Sequence, residues 1–158
     1  MKHTVDIADM KVSKSNEDII ITHALGSCLG VSIYEPNNCL GGMIHCMLPL
    51  SKADPNQARN NPYKFTDTGI TLFLQKLFNM GAKKANLIVK VAGCAQIFDD
   101  NKFFNIGERN YTVLRKILWK NDILISAEET GDTKPRTMAL YMETGKTTIK
   151  SRGEETEL

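Results

Sequence analysis

Apolar residues in this chain recur at two spacings, and the change from one to the other organises it. Short runs rich in Val, Ile and Leu, broken by Ser, Asn, Gly and Pro, predict strands over residues 4–8, 18–23, 28–35 and 41–48. The polar stretch "SKADPNQARNNPYK", residues 51–64, then reads as a long surface loop of the kind that often carries function. Beyond it, Ile70, Phe73, Leu74 and Leu77 fall on one face at helical spacing. Thr66 or Asp67 is placed to cap that helix, and Gly81 to supply a left-handed stop. "ANLIVKVAG", residues 85–93, predicts a buried strand. In "GERNYTVLRKILWKND", residues 107–122, the stripe Val113, Leu114, Ile117 and Leu118 predicts a second helix. Strands close the pattern at "DILISAE", 122–128, and "RTMALYMETGKTTIK", 136–150, the latter turned at Thr144-Gly145. The tail "SRGEETEL", 151–158, is expected to fray.

Strands dominate the first third and helices lie between later strands. The pattern predicts an α/β (mixed α+β) fold: a single-domain sandwich of mixed, largely antiparallel sheet with two main helices. A length of 158 residues fits one core, here residues 1–150. Hydrophobic residues at 42% and charged residues at 24% are ordinary for a globular protein, and a net charge of +2 lacks the basic excess that phosphate-backbone binding requires. Nucleic acid is therefore not an expected partner. No window approaches the roughly 18 uninterrupted apolar residues of a membrane span, and the N-terminus has no export signal. A cytoplasmic protein without direct membrane insertion is the expectation.

Chemistry concentrates in residues 21–50, which hold Cys28, Cys39, Cys46, His23 and His45. With Cys94, the cysteines read as free thiols in a reducing compartment. The segments 28–35 and 41–48 are joined by "PNNCL", so an antiparallel hairpin is the simplest pairing. A turn centred on Pro36-Asn37 sets Cys28 directly opposite His45; one centred on Asn37-Asn38 makes them diagonal neighbours on one face. Either register brings the Cβ atoms within about 4.5–8 Å, whereas a one-residue slip would separate the faces.

An imidazole beside a thiol can take its proton and hold a thiolate–imidazolium pair. Cys28 would then be a nucleophile and His45 its base. Gly26 and Ser27 would offer backbone N–H groups to an oxyanion, and the hydroxyl of Thr22 would orient the imidazole. Two other readings stand beside this one. A Cys-His pair can be plain core, and Cys39, His45, Cys46 and Cys94 supply four soft metal ligands, although no C-x-x-C pair occurs and adjacent residues on a strand point to opposite faces. His45 is assigned to the cleft-facing side with Cys28, and Cys46 to the core. His3 and His23 read as solvent-facing or capping, and Met10, Met43, Met47 and Met80 as core filling.

The order and spacing of several motifs resemble the CheD family of chemoreceptor glutamine deamidases. They are "VDIADMKVSK", "THALGSC", "GGMIHCMLP", "YKFTDTGI", "VKVAGCAQIF", "NIGERN" and "EETGDTKPRTM". The resemblance covers nearly the whole chain. It implies a nucleophile at Cys28, a histidine at His45 and a threonine at Thr22, with no cofactor and no metal. It implies hydrolysis of glutamine side-chain amides on methyl-accepting chemotaxis receptors, in some members also of methylglutamate esters, and binding to the CheC phosphatase. An adaptor that only regulates CheC and a general esterase or amidase are the competing functions. The chain departs from the pattern at Ala24, where glycine is common, at Cys94, in the second place of a Gly-Gly-Ala turn, at Phe65, where tyrosine is frequent, and at Lys134-Pro135-Arg136.

Overall fold

The computed structural model describes residues 1–96 and 105–158. At its centre is the expected hairpin of β4 (Leu29–Glu35) and β5 (Leu40–Cys46), with Gly30 opposite His45 and Val31 opposite Ile44. This is the register of a turn centred on Asn37-Asn38. The connection is a 3-10 turn, Pro36–Asn38, closed by Cys39 in the left-handed region at φ 46°. The buried carboxylate of Glu35 accepts from Asn37 N and from the Asn38 side chain, which satisfies the turn's own donors.

Around the hairpin, β2 (Asp9–Ser13) pairs with β5, β6 (Ile88–Gly93) with β4, and β7 (Ala127–Thr130) runs parallel to β6, giving the order β2-β5-β4-β6-β7. Both faces of this sheet are covered, which is why its central strands read as unbroken apolar runs. Leu29, Val31, Ile33, Leu40, Ile44 and Cys46 pack against α2 (Thr66–Asn79) and α3 (Ile106–Lys120) through Ile70, Phe73, Leu77, Leu114 and Leu118. Met43 faces the other way, toward a second sheet. That sheet has the order β1-β3-β8-β9-β10, from β1 (Lys2–Thr4), β3 (Ile19–Leu25), β8 (Arg136–Tyr141), β9 (Lys146–Ser151) and β10 (Glu154–Glu157). Ile20, Leu25, Met138, Leu140 and Ile149 fill the layer between the sheets. Each such fully buried side chain contributes about 1.5–3 kcal/mol. The architecture is thus helices on sheet on sheet, mixed and largely antiparallel, with one sheet more than the strand pattern resolved.

Several local expectations are corrected. Residues 51–64 are not an open loop: they hold α1 (Pro55–Asn60) between two 3-10 turns, because Asp54 caps α1 by accepting from Gln57 N at 3.1 Å. Neither Thr66 nor Asp67 caps α2. Asp67 accepts instead from Ser51 N and Oγ, the latter at 2.8 Å, and ties the preceding turn to the helix. Gly81 does stop α2, at φ 107°. Residues 4–8 divide between β1 and a turn, and 122–126 lead into β7 without pairing in a strand. The tail is paired, not frayed: β10 lies antiparallel to β9, although all four of its side chains are exposed. Ile97 and Phe98, which end the motif "VKVAGCAQIF", lie outside the described residues. Among the described residues no helix is long and apolar enough to cross a membrane.

Candidate active site

The sequence-expected residues converge where the two sheets face each other. On β3, Thr22 pairs with Met138 but Leu25 pairs with Arg136, so one extra residue bulges on this strand. Ala24 supplies the bend at φ 58°. The bulge turns both Thr22 and Leu25 inward and leaves His23 and Ala24 exposed. Thr22 Oγ1 lies 2.7 Å from Val5 O and 2.7 Å from His45 Nδ1. A hydroxyl has one hydrogen and a carbonyl only accepts. Thr22 therefore donates to Val5, and Nδ1 of His45 donates to Thr22. The imidazole proton is fixed on Nδ1, and the lone pair on Nε2.

That Nε2 is buried and has no hydrogen-bond partner among the described residues. His45 as a whole is 0% exposed, so its assignment to an open cleft is corrected: it belongs to the layer between the sheets. Burial holds the imidazole down to about 4, against a weak opposing pull from the charge of Asp6.

Cys28 stands one residue before β4, half-buried against the same layer. Because Gly30 is opposite His45, the pleat makes Cys28 the diagonal neighbour of His45 on one face. No hydrogen bond joins the two side chains. Burial pushes the thiol up to about 11. With the thiol raised and the imidazole lowered, the resting pair is neutral, since desolvation disfavours both charges. Burial thus works against the expected thiolate–imidazolium pair instead of for it.

The turn leading to Cys28 is held by its carbonyls. Gly26 O accepts from Ala95 N at 2.9 Å, Ser27 O from Asn110 Nδ2 at 3.1 Å and Cys28 O from Cys94 N at 2.8 Å. The last contact requires glycine at position 93, where a Cβ would stand 2.3 Å from Cys28 O. The amide of Gly26 is not open to a ligand, because it donates to Ala24 O at 3.0 Å.

Other candidates separate from the site. Cys46 is 0% and Cys94 5% exposed, in the core under the helices, and all four thiols are free. Among the described residues no cluster of His, Cys, Asp or Glu is arranged to hold a metal ion. His3 bonds Asp18 at 2.9 Å, and His23 faces solvent. Met47 is not core filling; it is 39% exposed.

Residues 47–151 match the model of the family described as CheD chemotactic sensory transduction. A probable chemoreceptor glutamine deamidase of Syntrophus aciditrophicus is 47% identical over 149 residues, covering 94% of this chain and 93% of that protein. The chain belongs to the CheD family. A second member similar to it, a probable chemoreceptor glutamine deamidase of Solibacter usitatus, is 44% identical over 154 residues, 98% of this chain and 91% of its own length.

Within the CheD pattern, the two glycine departures share a backbone state. Ala24 at φ 58° and Cys94 at φ 54° are both left-handed, the region in which glycine alone is free of Cβ strain. Two buried residues that sequence reasoning missed also belong to the surroundings. Arg136, 2% exposed, donates to Gly93 O and Gly131 O and pairs with Glu129 at 2.9 Å, fixing the end of β6 behind Cys28. Asn110, 0% exposed, sits on the apolar stripe of α3 with Leu114 and Leu118. A carboxamide on an otherwise apolar helix face was the signal for it.

Proposed function

We propose that this chain hydrolyses glutamine side-chain amides of chemoreceptors to glutamate and ammonia, through a thioester on Cys28. The observation that carries the reading is the lone pair of His45 Nε2, fixed by Thr22, buried and unpartnered, one diagonal step from Cys28 on the same face. The substrate is supported by the names of the relatives, which are probable chemoreceptor glutamine deamidases.

In this mechanism the sulfur attacks the amide carbonyl while its proton passes to His45 Nε2, so no free thiolate has to form first. The resulting oxyanion is met by backbone N–H groups of Ser27 and Cys28, since that of Gly26 is already used. His45 then returns the proton to the nitrogen, ammonia leaves and the thioester remains. Water gives a proton to Nε2 and attacks the thioester, the sulfur departs and is reprotonated, and glutamate is released. A methylglutamate ester passes through the same thioester with methanol leaving. CheC bound over Cys28 would close the site to substrate, and on this reading the reaction takes place in the cytoplasm, on the receptors' signalling helices.

Ammonia release from a receptor cytoplasmic fragment, compared for the wild type and Cys28→Ala, tests the proposal. Release by the wild type alone is expected. Equal release by both removes Cys28 from the reaction; release by neither, with CheC still bound, leaves only the adaptor role. Turnover of free glutamine or small esters at comparable rates would make the protein a general amidase.

A further inference from the structure

We propose that Asn110 is a positioning residue that holds Cys28 in register with His45, an inference that rests on the reaction assigned above. The pairing of β4 with β5 ends at Leu29 and Cys46. The next residues in the same register would be Cys28 and Met47, but β5 has turned away there: Met47 N and Leu48 N both donate to Lys64 O, at 2.8 and 3.0 Å. Two carbonyls are left at the end of the ladder, that of Ser27 just before the nucleophile and that of Met47 across from it.

Asn110 supplies what the ladder lacks. Its Nδ2 donates to Ser27 O at 3.1 Å and to Met47 O at 3.2 Å, one hydrogen to each. Its Oδ1 accepts from Thr66 Oγ1 at 3.1 Å. Both carbonyls can only accept, so the orientation of the amide is dictated by its partners and not by choice. A side chain from α3 thus bridges the two strands at the step that separates sulfur from imidazole, and Thr66, at the start of α2, locks the bridge. Neither strand could hold that step alone, since Cys28 lies outside β4 and Met47 outside β5. An error of about 1 Å in such a placement is enough to lower turnover about 10²-fold.

The test is the pH profile of Cys28 alkylation by iodoacetamide, which needs no receptor and is independent of the substrate assignment, together with kcat and KM for ammonia release. Asn110→Ala should lower kcat about 10²-fold with little change in KM. Attack on iodoacetamide, like attack on the amide, needs His45 to take the thiol's proton, so Asn110→Ala should slow Cys28 alkylation near neutral pH to the rate of His45→Gln, and the double variant should be no slower than either single one. Leu114→Ala, one turn along the same helix, serves as control and should lower Tm while keeping the wild-type alkylation profile. If Asn110→Ala does not fold, Thr66→Val decides: it keeps Asn110 and removes the lock on the bridge, and should slow alkylation severalfold in the same direction. Wild-type alkylation and kcat in the folded Asn110 or Thr66 variant, or additive losses in the double variant, would overturn the proposal. A failure of Cys28→Ala to stop ammonia release would instead strike the reaction itself.

Discussion

The hydroxyl of Thr22 sets the tautomer of His45: 2.7 Å from Nδ1 and committed as a donor to Val5 O, it can only accept from the ring. Thr22→Val keeps the shape and removes both bonds. The ring is then free to carry its proton on Nε2, where it cannot serve as base. We expect kcat for ammonia release to fall about 10²-fold or more with KM nearly unchanged, and Thr22→Ser to restore most of it.

Turnover should keep its rate to lower pH than an ordinary histidine permits. The base must be neutral, and burial holds His45 at about 4 while Cys28 stays a thiol up to about 11. The acid limb of the kcat/KM profile is expected near 4. A limb near the ordinary histidine value of about 6.5 would show that the imidazole is not desolvated in solution.

Stability should follow the same group with a definite sign. Unfolded His45 binds a proton below about 6.5 and the folded form only below about 4, so the unfolded chain holds more protons between them. Thermal stability therefore declines as pH falls from about 6.5 to about 4, and His45→Gln should flatten that slope. Asp18 acts in a lower window: the Ser13 hydroxyl above all, with the N-terminus and His3, holds its carboxyl at about 2, so its contribution declines as pH falls from about 3.8 to about 2. Because His45 is fully buried, His45→Ala should also lower Tm, by leaving a cavity and Thr22 without its partner.

Two left-handed positions, Ala24 and Gly93, give a further check. Ala24 is exposed and left-handed, so Ala24→Gly should raise stability by up to about 1 kcal/mol, or about 2–4 °C in Tm, the greater unfolded-state freedom of glycine offsetting part of the gain. Gly93→Ala should do the reverse and also slow turnover, because its Cβ would press on the carbonyl of Cys28.

Iodoacetamide should modify Cys28 well before Cys46 and Cys94, which are nearly inaccessible and whose thiols burial holds high, that of Cys94 at about 12. Mass spectrometry after timed labelling reads this directly. Equal rates at the three positions would mean that the core opens as easily as the site.

Much of this was legible in the residues because it depends on local periodicity. The hairpin of β4 and β5 follows from two apolar runs on either side of a turn sequence, the apolar faces of α2 and α3 from a spacing of about 3.6, and the stop of α2 from Gly81, all of which a linear sequence displays. The hairpin also permitted Cys28 and His45 to share one face. What the linear pattern does not carry is which face is covered by what. That a second sheet lies over β5 decided that His45 is buried, that its pKa is lowered and that the resting thiol stays protonated, because desolvation depends on atoms distant in sequence. The inward turn of Thr22 onto His45, and the bridge from Asn110 to Ser27 and Met47, are likewise contacts across 23 to 83 residues of chain. Sequence alone determined which chemistry was present; only packing of one sheet on the other decided the charge state and alignment in which it would act.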